Sequence, residues 1–528
     1  MKQKQKPLHL ILPMQPTPNG RMHIGHVAGP YLRADILARS LRRQGNRVVV
    51  ASGTDAYENW VVLEAKKENK DPEEICNDNH ALIGIDFSNI DIEFDCWINP
   101  LSKKHKEEYA RLHSDLLSDL IDGDEVSLVS EPVPISSDSG EYIIGAWIAG
   151  QCPNCEQDVA GNSCVKCGAG FQPSEIKKPW SRLDRSELKW VKKDSWFTKQ
   201  KEHKKFIEAL KKTGISNELI SISKSHLKRS GSRVRVSQPG SWGIKSDLID
   251  SDCVLTNTFY GFSLYCAEVA AKSIGYDTGF LESRIRNVTV TTLFGKDNAG
   301  IGLIAPSAIS LSSSKYRLFD NIIVNHMLHF EGSKCSTSRK HGIWISELIE
   351  NTNISSDELR YYLSQAPLES GTASLSLSAL VENVNRLRSW YNKKFLDLAF
   401  ANASYDCDPK VSATALSLIE TQSFHIQPSR LYMQSATRVL DSWMFESNVN
   451  LDKPTHARSW LQGLALLAFP IMPSLAENVW KTLGFKGIPS TEKIHTQAPV
   501  KEWIRNSQVP LLSVEELIPF VHISKDTI

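Results

Sequence analysis

Apolar and polar positions along the chain fall into blocks whose period changes from two to about three and a half. Leu8 to Leu12 is apolar except for His9 and reads as a buried strand, Val27 to Arg43 is long and amphipathic and reads as a helix, and a Pro/Asn/Gly loop joins them. Arg47-Val48-Val49-Val50-Ala51 is a second, β-branched strand. Together they predict a βαβ unit and a parallel sheet with a right-handed crossover. Ser102 to Leu120 has helical period with a solvated Lys/Glu face. Lys192 to Lys212 is Lys-rich and helical in pattern, and Lys224 to Arg235 is basic with interleaved Ser and Gly. Aromatic residues for base stacking are sparse in both, which favours solvated surface over RNA contact. Val288 to Phe294 is a clear strand, and Ile322 to Phe330 is a histidine-bearing apolar helix or strand. From Leu375 onward the pattern is helical, with stripes at Leu375/Leu380/Val384/Leu387 and Trp460/Leu464/Leu467, and Pro470-Ile471-Met472-Pro473 separates two helices.

At 528 residues the chain is too long for one core, so roughly two to four domains are expected. Lys+Arg (61) and Asp+Glu (60) nearly cancel, leaving a net charge of +1. That excludes a global basic field and leaves nucleic-acid contact to local patches. No apolar run reaches membrane-spanning length, and Leu8 to Met14 is too short for a signal core, so a soluble cytoplasmic protein without membrane partners is expected. The 10 cysteines do not make a disulfide scaffold. Four of them, Cys152, Cys155, Cys164 and Cys167, form two Cys-x-x-Cys knuckles. Such knuckles place four thiolates round one structural zinc and leave no open position for catalysis.

The chemistry gathers at Pro16-Thr17-Pro18-Asn19-Gly20-Arg21-Met22-His23-Ile24-Gly25-His26, between the first strand and the first helix. A helix start offers partial positive charge and free N–H groups, Gly25 lets a ligand come close to the backbone, and two imidazoles three residues apart point the same way. Polyphosphate fits that arrangement. Asp55, in Ser52-Gly53-Thr54-Asp55-Ala56-Tyr57, follows the second strand, where open α/β sheets bind ligands, and is placed to hold a cation such as an α-ammonium.

His23-Ile24-Gly25-His26 after Pro18-Asn19-Gly20 resembles the ATP-binding signature of class I aminoacyl-tRNA synthetases, and Gly29-Pro30-Tyr31-Leu32-Arg33-Ala34-Asp35-Ile36 resembles their methionyl branch. The similarity continues through the zinc knuckle with Gly168 and Pro173-Ser174-Glu175, and through Gly295-Lys296-Asp297, which matches an adenylate loop. Glu331 to Arg339 resembles the Lys-Met-Ser-Lys-Ser lid, and Asp357 to Leu363, Asn385-Arg386 and Ala476 to Trp480 resemble the segments beyond it. The resemblance implies an α/β fold: a split Rossmann-type nucleotide-binding catalytic domain with a zinc-knuckle insertion, followed by an all-α C-terminal bundle of the anticodon-binding type. The expected boundaries are 1–120 and 245–345 for the catalytic halves, 121–244 for the insertion with its knuckle at 152–167, 346–374 for a stem-contact segment and 375–528 for the bundle. It further implies ATP with Mg²⁺, a catalytic set of His23, His26, Lys296 and Lys334, and ATP contacts from Asn19, Gly20, Gly25, Gly295, Asp297, Ser336, Ser338 and Arg339.

Departures from the family pattern cluster where the amino acid and the acceptor would bind. Gln15, Thr17, Leu255, Phe259 and Phe262 stand with Asp55 at the amino-acid pocket where the methionyl branch has other residues, Thr337 replaces the second lid lysine, and Thr455 follows Pro454 where the family has a Trp. Sulfur–aromatic contacts are worth about 0.3–1.5 kcal/mol each. Losing several leaves methionine poorly held, so a small or polar amino acid is expected. The expected activity is amino-acid adenylation with transfer to a small acceptor, such as an N-hydroxylated amine in hydrazine-type natural product assembly, with a cupin-type enzyme as a separate partner. Methionine transfer to tRNA is the alternative, and a catalytically inactive RNA-binding relative is the third reading.

Overall fold

The computed structural model describes residues 6–161, 163–164, 169–337, 339–399, 406–496 and 508–524. A 5-stranded parallel sheet lies at its centre, in the order Asn321–Asn325, Val288–Gly295, Leu8–Pro13, Arg47–Gly53, Cys96–Ile98. Leu8, Leu10 and Leu12 face one apolar core and Ile11 the other, as the two-residue period of a strand covered on both faces requires. The chain runs outward from Leu8–Pro13 in one direction and, after a long insertion, outward from Val288–Gly295 in the other. That reversal opens a crevice beyond the carboxyl ends of the two strands.

The insertion pairs Val126–Ser136 with Leu188–Thr198 along their full length, adds a 3-stranded sheet, and carries the helices His203–Lys212 and Asn217–Ser230. Three expectations change here. Lys192 to Thr198 is strand, because its partner Val126–Ser136 pairs with it residue by residue; only His203–Lys212 is helical. Arg235 is not solvated; it forms a largely buried ion pair with Glu131. Val27 to Arg43 is not one regular helix: Val27–Tyr31 is a π-turn with Gly29 kinked at ψ −123, before the regular Leu32–Arg43. Pro30 lacks the N–H that an α-helical turn would use. Ile322 to Phe330 resolves into two strands, Asn321–Asn325 and Leu328–Phe330.

Beyond the sheet the chain is largely helical, from Leu377–Trp390 to Pro473–Thr482. One apolar core runs without a break from Met22 and Leu32, through Leu359, to Trp443, Trp460 and Leu517. Arg360, fully buried, stitches the two layers: it donates to the carbonyls of Pro470, Ile471, Ile90 and Asp91 and to Asp35 at 2.6 Å.

Candidate active site

The crevice is a cavity of about 400 Å³. Among the predicted site residues it brings together Gln15, Thr17, Asn19, Gly20, His23, Gly25, His26, Asp55, Phe259, Gly295, Asp297, Lys334 and Ser336. His23 caps the first helical turn: its Nδ1 accepts the His26 backbone N–H at 3.2 Å, and the two imidazoles stack with centroids 3.7 Å apart. A ring whose Nδ1 accepts carries its proton on Nε2, so His23 has an N–H to donate. Burial pushes His23 well below its ordinary value, helped by nearby His26, Lys334 and His341, and burial pushes His26 down to about 4. Both rings are therefore neutral donors at physiological pH. The buried Nδ1 of His26 has no hydrogen-bond partner among the described residues. Gly25 permits the close packing here, since a Cβ would lie 2.7 Å from Cys335 Cβ in the lid and 3.1 Å from the His23 ring.

At the other end, Asp55 is anchored by its N–H to the Pro16 carbonyl at 2.9 Å. Its Oδ2 accepts from the Thr258 hydroxyl at 3.1 Å and from Gln15 Nε2 at 3.5 Å. Burial, then the neighbouring Glu58, raises the Asp55 carboxyl well above the usual carboxylate range. Among the described residues, Lys334 is the only lysine or arginine lining the cavity. The Asp55 end thus favours a guest that brings its own positive charge. Phe259 lines the wall, but Leu255 and Phe262 do not. Leu255 is buried in the strand pair with Ser237, and Phe262 packs behind Gly53 and against Tyr109, 5.9 Å between rings.

The lid joins the Gly295-Lys296-Asp297 loop through Lys334, whose Nζ is 3.3 Å from Asp297 Oδ2. Thr337 lines the cavity beside Gly20. Arg339 is exposed and bonds within the lid's own turn, to the Lys334 carbonyl at 3.5 Å. Ser338 lies outside the described residues. Lys296 does not line the cavity; it pairs with Glu218 on Asn217–Ser230, whose other oxygen is 3.5 Å from His326 Nε2. Sequence reasoning missed Thr258, Glu58 and His326, all on the cavity wall. His326 lies inside the Ile322 to Phe330 stretch already singled out, Thr258 precedes Phe259 by one residue, and Glu58 comes three residues after Asp55.

In the insertion, Cys152, Cys155 and Cys164 offer sulfur atoms all within 4.8 Å of one another, with Cys155 and Cys164 3.6 Å apart. Tetrahedral zinc with Zn–S of about 2.3 Å sets sulfurs roughly 3.8 Å apart. The Asn154 N–H donates to Cys152 Sγ at 3.4 Å. The donors present fit a zinc ion, and Cys167 lies outside the described residues.

A parallel sheet split by an insertion, a His-x-Gly-His turn facing a cation-bearing lid, and an acid at the neighbouring strand end define the class I aminoacyl-tRNA synthetase fold. The family model described as tRNA synthetases class I (M) matches residues 10–387, and the chain belongs to that family. It is similar to the methionine–tRNA ligase of Bacteroides fragilis, 29% identical over 358 residues, 66% of this chain and 51% of that protein. The chain thus spans about half the length of that relative. The methionine–tRNA ligase of Thermoplasma volcanium is 25% identical over 504 residues, covering 89% of this chain and 91% of its own. In fold, the chain resembles the Mycobacterium tuberculosis methionyl-tRNA synthetase bound by methionyl-adenylate, with a TM-score of 0.64 at 16% identity over 94% of this chain and 98% of that one. No helix among the described residues is long and apolar enough to cross a membrane.

Proposed function

We propose that the chain activates an amino acid with ATP, forming an aminoacyl adenylate and pyrophosphate, and then passes the aminoacyl group to an acceptor. Asp55 holds the ammonium, and the substrate carboxylate attacks the α-phosphorus in line. The neutral His23 and His26 donate to phosphate oxygens as charge develops, Asp297 and Gly295 receive the ribose, and Lys334 stabilises the leaving pyrophosphate. Lys296 joins once ATP draws it from Glu218. Mg²⁺ accompanies ATP and neutralises phosphate charge. Zinc on the cysteine knuckle stiffens the insertion. The observation that carries this reading is the meeting of Asp55, His23, His26, Asp297 and Lys334 on one cavity.

The amino acid is small or polar, because Gln15, Thr17 and Phe259 line the space and a polar Thr258–Asp55–Gln15 chain crosses it. The acceptor is a small N-hydroxylated amine, with a cupin-type enzyme acting separately. A second reading, methionine transfer to tRNA, is favoured by the similarity to methionine–tRNA ligases. Amino-acid-dependent ATP–pyrophosphate exchange, run for each proteinogenic amino acid without tRNA, tests the adenylation step of both and the amino acid each requires. Exchange with one small or polar amino acid supports the first; methionine as sole substrate supports the second; silence with all of them sinks adenylation of these substrates.

A further inference from the structure

The end of the described chain returns to the lid. After Leu512 and Leu517, both buried, residues 521–524 lie beside the loop that follows the lid. The Gly342 N–H donates to the His522 carbonyl at 2.9 Å, and the His522 N–H donates to the Gly342 carbonyl at 3.0 Å. The Ser524 N–H donates to His341 Nδ1 at 3.3 Å, and His522 Nε2 meets Glu347 at 2.7 Å. His341 in turn exchanges two backbone bonds with Ser336, at 2.9 and 3.0 Å, inside the lid. Gly342 has φ +131, a conformation that favours glycine, and lies beside Cys335 and His23, where a Cβ would be in ordinary contact at 3.5 and 4.0 Å.

Two rings continue the path. His522 meets Trp344 edge to face at 5.1 Å, and Trp344 meets His23 edge to face at 5.8 Å. Upstream, the same segment is tied to the bundle: Asn385 exchanges hydrogen bonds with Leu512 at 2.7 and 2.8 Å, and Asn392 does so with Val509 at 2.8 and 3.0 Å.

We propose that residues 521–524 are a latch that fixes the resting geometry of the lid, with His522 as a positioning residue that reaches the His23–His26 pair through Trp344. The latch makes the lid's closure depend on how the bundle is seated. A lid held at its base samples fewer open conformations, so ATP meets Lys334 already near Asp297. The two backbone bonds at Gly342 are edge pairing of the kind that opens without global unfolding.

The test compares the intact chain with His522→Ala and with a chain ending at Phe520, which keeps Leu512 and Leu517. Tryptic cleavage after the exposed Arg339 and Lys340, and hydrogen exchange of residues 333–342, report the lid directly. In the shortened chain, cleavage and exchange speed up about tenfold, the scale of two lost backbone hydrogen bonds, while the thermal transition stays in place. His522→Ala moves both in the same direction by less. ATP–pyrophosphate exchange shows the loss mainly as a raised KM for ATP; this arm alone rests on the proposed activity. Should no variant, nor the intact chain, exchange pyrophosphate, the functional reading fails while protease and hydrogen exchange still decide the latch. Lid protection identical in all three chains overturns the latch. If the shortened chain does not fold, His522→Ala with Glu347→Gln decides by the same two readouts.

Discussion

Replacing Lys334 with alanine separates the chemistry of the cavity from the stability of the fold. In the resting structure Lys334 Nζ is 3.3 Å from Asp297, with the lysine side chain 41% exposed. An exposed pair of this kind contributes about 0–1 kcal/mol to folding. The thermal transition of Lys334→Ala therefore falls by no more than a few degrees, roughly. During pyrophosphate departure the balance reverses, because a donor aimed at developing charge is worth on the order of 10²–10³ in rate, about 2.7–4 kcal/mol. Lys296, the one other cation the mechanism brings to the phosphates, must first leave Glu218. Thr337 brings no charge, Arg339 bonds within its own turn, and Lys296 is held by Glu218. The rate of ATP–pyrophosphate exchange is thus expected to fall about a hundredfold or more, with the KM for the amino acid unchanged because Asp55 belongs to the other end of the cavity. Circular dichroism and differential scanning calorimetry supply the control for folding. A fall of less than about fivefold in exchange would refute the assignment of the leaving-group charge to Lys334.

Thr337→Lys restores a second lid cation at a position that already lines the cavity; exchange is expected to rise roughly tenfold, and an unchanged rate would mean that another group already carries that charge. Cys164→Ser removes one of three converging thiols. Atomic absorption is expected to find zinc with the purified unaltered chain and none with the variant, with proteolysis of the insertion accelerated and adenylation retained in part. Asp357, buried and accepting from the Ser474 and Leu475 N–H groups, is pushed up to about 7, by burial first. A carboxyl whose folded value lies above its unfolded value of about 4 costs stability as pH rises through that window. Asp357→Asn is expected to flatten the fall in the urea midpoint between about pH 4 and 7, by at most about 1.4 kcal/mol per pH unit; an unchanged slope would contradict the raised value.

The two strands that frame the cavity were legible because both are buried on their two faces and read as apolar runs, and the turn at His23 to His26 that lines the cavity because its residue types and spacing have few other uses. Side-chain direction was not legible. Leu255 and Phe262 align with pocket residues of the family, yet here they turn into the core, since Phe262 fills the space behind Gly53. Lys296 sits where a phosphate-binding lysine was expected, but Glu218 lies 78 residues away in the chain and only folding could bring it there. The strand Leu188–Thr198 misled for a related reason. Its lysines suit a helix as well as an edge strand, and the partner Val126–Ser136 decides between them.

The same distinction governs what the helical bundle says about the acceptor. Trp443 and Trp460 are fully buried and stack with centroids 6.5 Å apart in the shared core, so they cannot serve as platforms for bases. Arg360 bridges Asp35 in the catalytic layer to carbonyls at Pro470 and Ile471, and Arg43 in the first long helix donates to the Leu466 carbonyl at 2.7 Å. Removing the bundle would strip these guanidinium groups of their carbonyl partners and expose the apolar face of the shared core to water, at about 25 cal/mol for each Å² uncovered. A chain that had given up tRNA would keep the bundle for that reason alone. Its retention therefore reflects the shared core, and the choice of acceptor is made by the residues lining the cavity.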